Sequence, residues 1–429
     1  MKKLVSILMA IMMIAMVGAA FADAATLTDG KTGTAGTALS DGVAITKQII
    51  FVNAENTTVR EPNITYEYTV AAVTVGFTAP TVTDTNNTTV TVKSGVLDAN
   101  TNTNHKETVS FTDTATASAT STGTADSKTF TLTFDPTKFT AAGVYRYSVT
   151  ENIATGSNTK AAVGISEAAT YATTRYLDVY VEWDSTHTNL EIYGYVLFED
   201  STNSGTTGAI TTSTTKSQGW IDTDSNSSDT VHTDVDVYTT QNLYLNKTTT
   251  GTMADKNQTF TLNYTATIPS TVTATVKIDT IATNSTITNQ ETADTVGAYI
   301  NSTNFAKTGG NTVTVKDGSV VAFKGIPAGG TVTVTETNNS PDVYKVKAGE
   351  AADGATLLTE APVLAGNTSN ATTSKNLTDK VQIYFTNTLD AISPTGYVSR
   401  FAPYALILVA GIALLIVAKK RKPAKDDEE

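Results

Sequence analysis

The 429-residue chain contains no cysteine. Thiol nucleophiles, zinc–thiolate sites and disulfide staples are therefore excluded. Histidine is almost as scarce: only His105, His187 and His232 occur, far apart in the chain. Positive charge is in deficit, with 29 Lys and Arg against 41 Asp and Glu and a formal net charge of −12. Nucleic-acid phosphates demand a cationic face that such a chain does not offer. Trp183 and Trp220 are the only tryptophans, few for a sugar-binding platform. No carboxylate pair is fixed by spacing across a cleft, as glycoside hydrolysis needs. No constellation of a turnover enzyme is recognisable, and no cofactor or metal is implied. At this length two or three domains are expected.

Long apolar runs occur only at the two ends. Met1-Lys2-Lys3 precedes an apolar stretch from Leu4 to Ala20, and Ala20-Phe21-Ala22 gives a small-x-small pattern before Asp23. Residues 1–22 therefore read as a secretory signal peptide. At the other end Ala402 to Ala418 carries no charge and runs into Lys419-Lys420-Arg421-Lys422. Residues 402–418 are near the minimum for a transmembrane helix, and the basic cluster places its inner side. Just upstream stands Pro394-Thr395-Gly396. A Pro-Thr-Gly element, an apolar span and a short basic tail together resemble a sortase sorting signal of Gram-positive surface proteins. The resemblance implies cleavage between Thr395 and Gly396 and transfer of the Thr395 carbonyl to an amine. The usual Leu-Pro-x-Thr-Gly is absent, and Ser393 precedes Pro394 where pilin variants carry Val.

The body between these ends alternates apolar and polar residues in short runs, such as Thr129 to Phe134 and Thr331 to Thr335. That period marks half-buried antiparallel strands. Many such strands separated by turn residues predict an all-β chain of tandem immunoglobulin-like β-sandwich modules. Ser201 to Thr230 is dominated by Ser, Thr, Gly and Asn and reads as a long loop near a module boundary. Within it Asp222-Thr223-Asp224-Ser225-Asn226 imitates the opening of a calcium loop, but the Gly is missing and Thr233 stands where the bidentate Glu belongs. It is expected to be solvated.

One polar pattern occurs twice. Lys47 shares a strand face with Val43, Ile45, Ile49 and Phe51, and Lys247 shares one with Leu243 and Leu245. Glu151 aligns with Tyr145, Tyr147 and Val149, and Glu336 with Val332 and Val334. Asn387 closes a face with Val381, Ile383 and Phe385. Lys, Glu and Asn are thus directed into apolar cores, where an unpaired charge is costly. Burial raises a carboxylic acid's pKa and lowers an amine's. A neutral Lys could then attack the Asn carboxamide, with a protonated Glu donating a hydrogen bond to its carbonyl. A buried Lys247–Glu336 ion pair beside an ordinary Asn fits the same spacing.

The ordered set resembles the streptococcal T-antigen-type backbone pilins with isopeptide-forming modules. The segments that carry it are Ala44 to Lys47, Gly143 to Glu151, Tyr176 to Trp183, Leu245 to Gly251, Ile326 to Glu336 and Tyr384 to Asn387, followed by Pro394-Thr395-Gly396. The resemblance implies a first module over 23–240, a second over 241–391, and a sorting region over 392–429. It implies Lys247 joined to Asn387 with Glu336 assisting, and a pilus-forming, wall-anchored extracellular protein. Its partners would be a sortase, other pilin subunits or peptidoglycan, and a host or surface ligand. In the first module Lys47 and Glu151 match, but the acceptor Asn is missing. Asp236 lies in the right neighbourhood and could serve, releasing water. Val235 and Val237 occupy the opposite face, however, so a regular strand would turn Asp236 outward unless a bulge intervened. The lysine that would receive the next subunit is also unmatched: Asp229 lies near the expected place, and Lys216 is the candidate. A monomeric anchored adhesin or stalk is the alternative to a polymerising pilin.

Overall fold

The computed structural model describes residues 31–32, 43–73, 81–83, 89–96, 105–168, 171–184, 186–198, 216–223, 231–268, 275–280, 286–288, 293–294, 299–301, 305–306, 310–337, 344–351, 370–377, 381–389 and 394–420. The expected signal peptide, residues 1–22, lies outside them. The described residues are all-β apart from short 3-10 turns and the C-terminal helix Pro394–Lys420.

Two apolar cores are present, one built from residues between Val43 and Tyr238, the other from residues between Leu243 and Phe385. The strands enclosing the first are β1 (Val43–Val52), β2 (Ile64–Ala72), β3 (His105–Phe111), β4 (Thr124–Leu132), β5 (Gly143–Ile153), β6 (Thr174–Trp183) and β7 (Leu190–Phe198). One sheet runs β7-β6-β5-β2-β3, and β4 pairs with β1 in the sheet that faces it. Burial alternates along β1 and β2 as the period-two pattern requires.

The 15-residue strand β8 (Asp236–Thr250) belongs to both units. Its first residues lie parallel to β1, with Asp236 opposite Ile49 and Thr239 opposite Val52. From Thr240 onward it pairs with the strand Val320–Pro327, so the anticipated boundary at 240/241 falls inside a continuous strand. The second core is enclosed by β8, β9 (Phe260–Thr267), β10 (Thr275–Thr280), β11 (Asn311–Val315), β12 (Val320–Pro327), β13 (Gly330–Thr337), β14 (Lys345–Ala351), β15 (Asn370–Leu377) and β16 (Val381–Thr388). Strands β11, β9, β13 and β15 form one sheet. In the other, β8 lies between antiparallel β12 and parallel β16.

Where a loop is expected over 201–230, the described part is partly strand. Lys216–Ser217 pairs with β7, and Gly219–Trp220 runs parallel to β1. Trp220 is fully buried, its ring tilted against that of Tyr68, and its indole N–H donates to the Ala172 carbonyl at 2.8 Å. One buried indole outweighs the polarity of its neighbours. Gly219, at φ 145°, makes this possible, since a Cβ there would lie 1.9 Å from the Thr46 carbonyl oxygen. Nor is Asp222 free in solvent: its carboxylate binds the His232 ring at 2.8 Å and accepts from the Thr233 N–H at 3.1 Å.

The helix α1 (Pro394–Lys420) contains the apolar segment 402–418. Leu406, Ile407, Leu408, Val409, Leu414 and Leu415 are all exposed on it. Among the described residues no helix is long and apolar enough to cross a membrane.

Candidate functional site: two buried lysine–carboxyl clusters

The second core closes around three polar side chains. Lys247 lies on β8, Asn387 on the adjacent parallel β16 and Glu336 on β13 of the facing sheet. All three are buried, Glu336 and Asn387 completely. Apolar neighbours at period two carry each one inward, as the strand pattern dictates. The Lys247 Nζ lies 2.8 Å from Glu336 Oε2 and donates to Asn387 Oδ1 at 2.5 Å. It sits 4.0 Å from the centre of the Phe260 ring.

One detail differs from the sequence expectation. Glu336 does not face the Asn387 carbonyl oxygen; Asn387 Nδ2 donates to Glu336 Oε1 at 2.6 Å. Glu336 therefore bridges the amine and the amide nitrogen, the two groups that would exchange protons. A carboxyl so placed can take a proton from Lys247 and give one to a departing nitrogen.

Burial lowers the Lys247 amine, and the Glu336 carboxylate only partly opposes it, leaving a pKa of about 8. The neutral, nucleophilic fraction of Lys247 then rises about tenfold per pH unit below that value and levels off above it. Any condensation through this amine is expected to accelerate between pH 6 and 8 and to flatten beyond; time courses of refolded protein followed by intact mass would test it. A pH-independent rate would remove amine deprotonation from the reaction.

The first core holds a related but larger cluster. Lys47 on β1, Glu151 on β5 and Asp236 on β8 are buried together. Lys47 Nζ lies 3.0 Å from Glu151 Oε2 and 2.7 Å from Asp236 Oδ2. A regular strand with Val235 and Val237 inward would turn Asp236 outward, yet Asp236 is fully buried. Asp236, Tyr238 and Thr240 form the buried face of β8, while Val237 is half-buried. Asp234, at φ 56°, turns the chain just before the strand, so Val235 is buried from an irregular position outside it. No bulge is needed.

Four partners escaped the sequence reading. Lys160 Nζ is 2.9 Å from Glu151 Oε1 and 3.0 Å from Asp236 Oδ1. Tyr66 donates to Asp236 Oδ2 at 2.7 Å, Tyr68 to Glu151 Oε2 at 2.8 Å, and Tyr171 to Glu151 Oε1. Tyr66 and Tyr68 alternate with polar residues along β2, so their inward hydroxyls were available to periodicity. Lys160 and Tyr171 lie between strands, where no period exists. Burial raises all three phenols well above 10, so they stay protonated donors. Burial would also raise Glu151, but the Lys47 and Lys160 ammonium groups outweigh it and hold its carboxyl at about 2.

The remaining anticipated residues lie elsewhere. Lys216 is in a short strand opposite Phe198, and Thr395 and Gly396 are in the first turn of α1. Asp229 lies outside the described residues. Among the described residues no cluster of His, Asp and Glu is arranged to hold a metal.

The architecture of the described residues is thus all-β, with a buried Lys–Glu contact beside Asp236 in one core and beside Asn387 in the other. A family model described as a domain of unknown function, DUF7601, matches residues 241–389. No curated protein matches the chain. Among solved structures, the chain is similar to the major pilin of Streptococcus pyogenes, at 17% identity over 82% of this chain and 100% of that one, with a TM-score of 0.40. The major pilin T3.2 of S. pyogenes serotype GAS13637 shares 19% identity over 82% and 100% of the two chains, with a TM-score of 0.39. A pilus-presented adhesin shares 17% over 52% of this chain and 38% of its own, with a TM-score of 0.23.

Proposed function

We propose that the chain is a secreted structural subunit of a surface filament, a pilin, made resistant by self-formed isopeptide bonds and joined onward by a sortase at Thr395. The carrying observation is the buried contact of Lys247 with both Glu336 and the Asn387 carboxamide. In the reaction Lys247 Nζ bonds to Asn387 Cγ and the Cγ–Nδ2 bond breaks. Glu336 relays protons between them, and ammonia leaves while Glu336 keeps the remaining proton. Lys47 and Asp236 are the corresponding pair of the first module, with Glu151 beside them and water as the leaving group. Each bond would fasten the start of a module to its end, so tension along the chain would load a covalent link instead of a β-ladder. That suits a Cys-free protein exposed to shear and proteases, with other subunits, peptidoglycan and a surface ligand as its partners.

The uncharged segment Ala402 to Ala418 and the Lys419-Lys420-Arg421-Lys422 that follows it fit the retention part of a sorting signal that presents Thr395 to the sortase. Lys216 is the candidate amine for the next subunit.

Intact mass tests the crosslink. The purified chain is expected to weigh one ammonia less than its sequence on account of the second module, and Glu336→Ala to abolish that loss. A folded protein without the ammonia deficit would leave Lys247 and Glu336 as a plain ion pair. Co-expression with a sortase is expected to give a ladder on denaturing gels that Thr395→Ala removes; a single anchored band would indicate a monomeric stalk or adhesin.

A further inference from the structure

The two clusters differ by one charge pair. Where the second has the neutral Asn387, the first has Asp236, a second buried carboxylate beside Glu151. Where the second has a single amine, the first adds Lys160. Among the described residues no second ammonium meets Glu336 or Asn387. Lys160 comes from the turn that leads into the strand Ile165–Glu167, which pairs with β8 so that Glu167 stands opposite Asp236. Its side chain is mostly buried, 15% exposed.

The four charges are arranged with the two amines on opposite oxygens. Lys47 contacts Glu151 Oε2 and Asp236 Oδ2; Lys160 contacts Glu151 Oε1 and Asp236 Oδ1. The Tyr66 hydroxyl also donates to Oδ2. Asp236 Oδ2 is therefore the oxygen surrounded by proton donors, and Oδ1 is the oxygen held by a fixed cation.

We propose that Lys160 is a catalytic residue of first-module crosslinking, the cation that stabilises negative charge on Asp236 Oδ1 while Lys47 attacks the carboxyl carbon. This rests on the self-crosslinking reading of the clusters.

The step balances without any further reactant. Lys47 Nζ gives a proton to Glu151 and forms a bond to Asp236 Cγ, and charge accumulates on Oδ1 opposite Lys160. A carboxylate resists such attack because the incoming electron pair adds to charge already present; a cation in contact with the receiving oxygen offsets it. The Cγ–Oδ2 bond then breaks. Oδ2 leaves as water, carrying the two protons lost by Lys47, one of them relayed by Glu151. The amide is neutral, and Lys160 and Glu151 remain as a charge-balanced buried pair 2.9 Å apart. Without Lys160 the product would strand an ionised Glu151 in the core. Glu151, held ionised by its two ammonium neighbours, has no proton of its own to offer Asp236. The Glu151 and Asp236 carboxylates raise the Lys160 amine despite its burial, so it remains the cation this role needs. Among the described residues Tyr68, Tyr171 and Glu167 also face the cluster.

The test is the mass of the full chain with Lys160→Met, Lys160→Gln and Lys160→Arg, followed over time after refolding. The wild type is expected to lose one ammonia and one water, with the water loss mapped to a Lys47–Asp236 peptide. Both neutral variants are expected to lose the ammonia normally but the water about 100-fold more slowly. Lys160→Arg should restore most of the rate, which a packing role would not. Fluorescence of Trp183 and Trp220, both in the first module, reports whether it folds, and the glutamine variant serves if the methionine one does not. Undiminished water loss in a neutral variant, or a folded wild type that loses ammonia alone, overturns the proposal. Absence of the ammonia loss bears instead on the second module and on the filament reading.

Discussion

Asn387→Ala is expected to lower the thermal midpoint of the second module by about 10–20 °C, corresponding to roughly 5 kcal/mol. Lys247 and Asn387 are 140 positions apart. A covalent link across them removes closure entropy from the unfolded chain much as a disulfide over a loop of that length does. A bare hydrogen bond lost from the same place would cost only about 1–3 kcal/mol, including the partner left unsatisfied. The size of the shift therefore separates a bond from a contact. Calorimetry of the wild type, Asn387→Ala and Glu336→Ala checks it, with mass spectrometry reporting which samples carry the link. If all three melt within a few degrees of each other, the contact between Lys247 and Asn387 carries no covalent bond. The first-module cluster shares no side chain with this one, so its own mass loss should persist in both variants.

Trp220→Ala is expected to destabilise the first module by about 3–5 kcal/mol. Trp220 has no exposed surface, packs its ring near Tyr68 and lies 5.2 Å from the Arg175 guanidinium. Its removal opens a cavity between β1 and the core and leaves the Ala172 carbonyl without its donor. Denaturant unfolding followed by circular dichroism should show the midpoint fall with the slope retained. A change within about 0.5 kcal/mol is what a solvated Ser/Thr-rich loop would give, and would place the indole outside the core. Because Trp220 stands opposite Lys47 in the strand register, Trp220→Ala is also expected to slow the first-module water loss by loosening β1, leaving the ammonia loss untouched.

What the sequence by itself determined is the all-β class and the inward direction of Lys47, Glu151, Lys247, Glu336 and Asn387. Each lies on a strand whose apolar residues recur every second position, and the pleat sends such residues to one face. Burial of all five follows from that local rule. Tertiary structure decided the rest. Alternation alone would turn Asp236 outward, because Val235 and Val237 look like a strand's apolar side; only the turn at Asp234 and the pairing with β1 make Asp236 and Tyr238 the buried set. Lys160 and Tyr171 come from segments between strands, and Trp220 from a polar stretch, where no periodicity constrains a side chain. Their positions depend on contacts with residues tens to well over a hundred positions away, such as Lys160 with Asp236 and Tyr171 with Lys47. The continuity of β8 through both units is of the same kind, since partner choice along a strand is set by which sheets meet there. Period-two alternation chooses a face; closure of the chain in space chooses the neighbours, and with them the charge balance of each cluster.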